Sequence, residues 1–150
     1  MSGSGDIITD LRAVCFLRFE SRSGKSTGWD GIGTGTVTVT QSADKNLVFE
    51  EKGVWRAHGD EASDIPFQNV FRWSMVGLAL RLEHLRFGWD DPVFLFDMIR
   101  GANGTWHSER PHLCGADRYS GRLTREAEEL TMEWSIVGPH KQETIHYRYW

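Results

Sequence analysis

Little in this chain of 150 residues points to a metal cluster, a membrane span or a nucleic-acid partner. The two cysteines, Cys15 and Cys114, lie far apart and belong to no Cys-x-x-Cys pair. They offer no disulfide framework, and as reduced thiols they imply a cytoplasmic protein. Basic charge is in deficit: 17 Lys and Arg stand against 21 Asp and Glu, a formal net charge of −4. Binding along phosphate backbones needs a basic face, so a general nucleic-acid binder is not expected. No apolar run approaches membrane-spanning length, and no membrane partner is expected either. The first ten residues, MSGSGDIITD, lack the basic and apolar parts of a signal peptide. With no internal repeat and no linker, residues 1–150 are expected to form one domain.

Aromatic residues, by contrast, are plentiful: 7 Trp, 8 Phe and 3 Tyr. So many wide side chains suit a small fold with a thick core or a lined cavity. Asp6 to Asp10 predicts a short helical turn capped by Asp6 or Thr9. From Leu11 a strand is expected, with Leu11, Ala13, Cys15, Leu17 and Phe19 on one face. The stretch SRSGKSTGWDG then reads as a turn. Gly31, Gly33 and Gly35 alternate through a β-branched strand, a spacing that lets a second backbone come close or the strand coil sharply. Further strands are read in NLVFEEKGVW, NVFRWSM, LALRLEHLRF, VFLFDMI, HLCGADRYSGRLT, ELTMEWSIVG and ETIHYRYW. About eight to ten short strands, no amphipathic helix of ordinary length and regular turn signals predict an all-β fold, a single antiparallel β-barrel. Closure removes the exposed edges that so many strands would otherwise leave, and the interior suits side chains or one small ligand.

Candidate chemistry gathers in two stretches. HLCGADRY, residues 112–119, brings together His112, Cys114, Asp117 and Tyr119. On a regular strand His112 and Cys114 share a side and Asp117 falls on the other. A bulge at Gly115 would return Asp117 and Tyr119 to the face of His112. Zinc needs three or four ligands, and this cluster supplies two with His107 as a nearby third, so no metal site is expected. A Cys114 nucleophile with His112 as its base is chemically allowed, yet side chains two apart on a strand project in parallel and do not meet in attack geometry. The plainer alternative is a polar cluster that pins a strand end. EWSIVGPHK, residues 133–141, turns at Gly138-Pro139, with Trp134 and Ile136 inward and Lys141 just past the turn, over an opening or in water. Glu51 and Arg72 are charges within aromatic strands. Burying either alone is costly, so each should face solvent or find a partner, and a Glu51–Arg72 pair across neighbouring strands is one solution. GKST at 24–27 lacks the glycine a phosphate loop needs five positions earlier, where Phe19 stands. His84 and His146 read as ordinary strand residues, and no cofactor motif is present.

In order along the chain, the motifs are Phe49-x-Glu51-x-Gly53, Arg72-Trp73, His112-x-Cys114-x-x-Asp117-x-Tyr119 and Trp134-x-x-x-Gly138-Pro139-x-Lys141. A terminal aromatic strand follows them. Together they resemble the family catalogued as domain of unknown function 6314, and the resemblance runs from Leu11 to Trp150. It implies a lipocalin-like, calycin-like barrel in a small bacterial protein with no established activity. It also implies that His112, Cys114, Asp117, Tyr119, Trp134 and Lys141 form one set. A histidine directly after an aromatic residue is implied in the strand following the central hairpin; here Leu95 follows Phe94.

The leading expectation is a small-molecule-binding barrel that holds a partly aromatic or amphipathic ligand. Arg72, His112, Asp117 and Tyr119 would orient the ligand and Trp73 and Trp134 would stack on it, with Glu51, Cys114 and Lys141 completing the site. One alternative is a cofactor-independent isomerase, cyclase or lyase in which His112, Asp117 and Tyr119 move a proton, assisted by Cys114 or Lys141. Another is a structural or interaction protein with a filled barrel. Haem coordinated by His112 or Cys114 is a variant of the binding reading. Ligand identity, and the choice between monomer and homodimer, are left open by the sequence.

Overall fold

The computed structural model describes residues 6–24, 30–59 and 64–150. The first five residues and part of the Gly- and Ser-rich turn, 25–29, lie outside the described residues, as do 60–63. Helix α1, Ile7–Arg12, opens on Asp6, whose side chain accepts the Ile8 amide at 3.1 Å. The expected cap is therefore in place, but the helix runs further than expected. Leu11 lies within α1 and Ala13 and Cys15 are exposed, so the strand expected from Leu11 does not begin until Phe16. Ile7, Ile8 and Leu11 make one apolar helical face, which buries more than strand alternation through Ala13 would.

Strands follow in order: β1 (Phe16–Ser23), β2 (Gly31–Gln41), β3 (Leu47–Ala57), β4 (Asp64–Val76), β5 (Ala79–His84) and β6 (Val93–Arg100). After a 3-10 turn at Ala102–Gly104 come β7 (Trp106–Ser108), β8 (His112–Cys114), β9 (Asp117–Glu126), β10 (Glu129–Val137) and β11 (Gln142–Tyr149). All pairings are antiparallel, and β11 returns to β1 with Tyr149 opposite Leu17. β7 and β8 share one edge of β9 while β10 takes the other, so they are two halves of one stave parted around Pro111. At that break the Gly121 amide donates to Ser108 Oγ at 3.2 Å. The result is the all-β antiparallel architecture expected from the sequence, a closed barrel of 10 staves.

Alternation sorts each strand between inside and outside. In β3, Leu47, Phe49, Glu51 and Trp55 are buried inside, while Glu50, Lys52 and Val54 face out. The end of the barrel nearest α1 is packed solid by Leu11, Leu17, Leu47, Phe49, Trp73 and Leu80 among others. Each such leucine contributes roughly 2 kcal/mol by leaving water. The alternate glycines of β2 serve the close approaches their spacing suggested. A Cβ on Gly33 would fall on the Phe19 ring, and Gly35 faces Gly53 where a Cβ on either would strike the opposite backbone. No helix among the described residues is long and apolar enough to cross a membrane.

Candidate functional site

HLCGADRY is not one strand with a bulge. Gly115, at φ 62°, and Ala116 form a turn between β8 and β9. The register sets His112 opposite Tyr119 and Cys114 opposite Asp117. Directly opposed residues share a face, so all four side chains do lie on one side, by way of a hairpin. The His112 ring meets the edge of Tyr119 with centroids 6.1 Å apart. Asp117 packs against Gly138 so tightly that a Cβ there would collide with its carboxylate. Gly138 in turn donates its amide to the Lys141 carbonyl at 2.8 Å, closing the β10–β11 turn. Ile136 stands opposite Tyr119 and Trp134 opposite Gly121. The two stretches singled out in the sequence are thus one continuous patch.

That patch borders a cavity of about 700 Å³ at the barrel end opposite α1. Phe19, Trp55, Phe67, Phe71, Trp134 and Tyr147 wall it, with Leu95, Ile136 and Ile145 between them. Phe19 stacks on Tyr147 at 4.9 Å, and Trp134 sits 6.3 Å from Phe71 and 5.4 Å from Phe96. Arg22, Tyr119, Lys141 and Glu143 bring polar groups to the open end, and Ser21, Asn69 and His84 bring them to the wall. A hollow of about 450 Å³ beside α1 has no aromatic lining. Among the described residues no three His, Cys, Asp or Glu side chains are grouped to hold a metal ion.

Of the expected site residues, Tyr119, Trp134 and Lys141 line the cavity. His112, Cys114 and Asp117 lie beside it on the β8–β9 hairpin, with Cys114 exposed. Arg72 points outward, where its Nε donates to Glu83 at 2.9 Å, so it does not reach a ligand in this cavity. Its neighbour Trp73 points inward but into the solid end, against Phe49 at 6.2 Å, and its Nε1 has no hydrogen-bond partner among the described residues. The Glu51–Arg72 pair does not form, because Asn69 is the residue opposite Glu51 and Arg72, three further on, belongs to the other face. His84, read as an ordinary strand residue, stacks on Phe71 at 4.9 Å in the cavity wall. Burial, helped by Arg86, lowers its pKa. Phe71 and His84 pair across the Gly77 turn, so counting outward from that glycine was the signal that could have found it.

Glu51 is completely buried. Its Oε2 accepts the Tyr149 hydroxyl at 2.7 Å. Asn69 stands near enough to stabilise the carboxylate, yet among the described residues no donor reaches Oε1 in hydrogen-bonding geometry. Burial raises the Glu51 pKa to about 7, with Tyr149 and Asn69 pulling it back. Tyr147 and Tyr149 are both pushed well above the usual tyrosine range, first by burial and then by Glu51.

Fold and site together define a closed antiparallel β-barrel, solid at one end and carrying an aromatic-lined cavity at the other. The chain belongs to the family of unknown function DUF6314, whose sequence model matches residues 19–150. No match was found among curated proteins or among solved structures.

Proposed function

We propose that the protein binds a small, partly aromatic or amphipathic molecule in the open end of its barrel, in a lipocalin-like way. The cavity of about 700 Å³ carries this reading. Its size and mostly apolar wall, with a few polar groups at the opening, are those of small-molecule sites. A barrel serving only as a scaffold would pack both ends, as this one packs the end nearest α1. Leu95, at the position where the family resemblance implies a histidine, adds an apolar wall residue. His112 and Asp117 stand beside the cavity rather than in its wall, so binding has better support than proton transfer by that cluster. The two exposed free thiols, Cys15 and Cys114, suit a reducing bacterial cytoplasm.

Native mass spectrometry of freshly purified protein should reveal a retained small molecule. The neutral fluorophore N-phenyl-1-naphthylamine should bind, and Trp134→Ala should weaken it by about tenfold, the loss of one ring contact. Leu78→Ala, at an exposed turn near the closed end, should leave it unchanged. Equal effects of the two substitutions, or no binding at all, would refute the reading.

A further inference from the structure

Several carboxylates along the outer wall have arginine partners: Glu83 with Arg72 at 2.9 Å, Asp97 with Arg81 at 2.8 Å, and Glu129 with Arg148 at 2.8 Å. Glu51 differs. It is wholly buried, Tyr149 holds one oxygen, the other is unbonded, and no cationic side chain among the described residues pairs with it. It also sits where packed core gives way to cavity. On the same inner face of β3, Phe49 belongs to the core and Trp55 to the cavity wall. Asn69, directly across from Glu51, and Tyr147, stacked on Tyr149 at 5.3 Å, both line the cavity. The inner end of an aromatic cavity is thus backed by a carboxylate with one oxygen lacking a donor and with no counter-charge, Glu51 lying behind Asn69 and Tyr147 rather than in the wall itself.

We infer that this inner end recognises an organic cation, a small aromatic or amphipathic molecule whose leading end is a protonated amine. The inference rests on the binding reading of the same cavity and specifies which chemistry enters first. An ammonium group supplies both things Glu51 lacks, a hydrogen bond for Oε1 and a positive charge. In a site shielded from water that pairing is far stronger than in bulk solvent. The surrounding rings of Phe19, Trp55 and Tyr147 offer π faces that favour a cation. An anion would meet the Glu51 charge directly, and a neutral molecule would neither pair that charge nor gain from it. The groups facing Glu51 are Tyr149 and Tyr147 from β11, Asn69 from β4 and Val37 from β2. Only the two tyrosines among them titrate, and burial keeps both neutral. Selection for the cation therefore strengthens as Glu51 ionises with rising pH, and because Arg22, His84, Lys141 and Glu143 also line the cavity, Glu51→Gln is what separates its part from theirs.

Calorimetry with three matched probes tests this: 1-naphthylmethylammonium, 1-naphthalenemethanol and 1-naphthoate. On the wild type at pH 8 the ammonium should bind at least about tenfold more tightly than the alcohol. That advantage should vanish in Glu51→Gln, and on the wild type at pH 5. The alcohol should bind both proteins alike, which also reports that the variant keeps its fold. An ammonium advantage that survives Glu51→Gln, or an alcohol or naphthoate that matches the ammonium at pH 8, overturns the inference while the binding reading stands. Failure of all three probes to bind overturns both.

Discussion

Glu51 is the residue whose environment has the largest consequence for stability. A glutamate free of its surroundings titrates near 4.5, and in the folded barrel this one titrates at about 7. Between those values the folded state holds a proton that the unfolded state has released. The contribution to stability is therefore full below pH 4.5 and is lost as pH rises to about 7, by roughly 3 kcal/mol in all. Urea midpoints measured from pH 4.5 to 8 should fall accordingly, and Glu51→Gln should remove this part of the slope and exceed the wild type at pH 8. An unaltered slope in the variant would assign the loss to other groups. The burial of Glu51 was only half legible in the sequence. Alternation with Phe49 and Trp55 places it on the inner face, but the partner it finds, Tyr149, is nearly a hundred residues away and joins it only through barrel closure.

Among the elements, the β8–β9 hairpin and the β10–β11 turn are locked together through Asp117 and Gly138. Gly138→Ala should push Asp117 aside, lower the melting temperature and weaken probe binding, since Tyr119 and Lys141 sit on the two displaced segments. A clash of this kind typically costs 1–3 kcal/mol. Adding Asp117→Gly should restore part of the loss, and a double-mutant cycle without coupling would show that the two residues do not meet in solution. Spacing brings the four polar side chains of HLCGADRY to one face only through a bulge at Gly115, whereas the chain does it with a hairpin. β8 is only three residues long between Pro111 and Gly115, too short for alternation to reveal that the chain reverses. α1 shows the opposite failure. Strand-like spacing through Leu11 overlapped a helical face, and the Asp6 cap with buried Ile7 and Ile8 decided for the helix.

At the scale of the whole molecule, closure depends on strands from the two ends of the chain. β1 pairs with β11 through seven residue pairs, from Leu17 opposite Tyr149 to Ser23 opposite Glu143. Removing residues 145–150 would delete Tyr147 and Tyr149 from the interior and open the seam on both sides of β11. Such a truncation should lose its cooperative denaturant transition, and a sharp two-state transition in its place would show that closure is dispensable. The division between a packed end and an open end belongs to this scale as well. α1 and the residues beneath it fill one end, while at the other Phe19, Trp55, Phe67, Phe71 and Trp134 stand around space they do not fill.

What the sequence determined by itself is what local spacing can encode. Alternation set the strands and their inner faces, the glycines of β2 marked the close approaches, and the family resemblance implied that His112 through Lys141 belong together, which the hairpin register brings onto one patch. Tertiary structure alone decided how far along the barrel each inward residue sits. Trp73 and Trp134 have equally inward-facing positions, yet one is packed against Phe49 and the other stands in the cavity wall. Height in a barrel follows from strand register and tilt, which are set by hydrogen bonds between distant segments. A period of two reports which face a side chain occupies and nothing about its level.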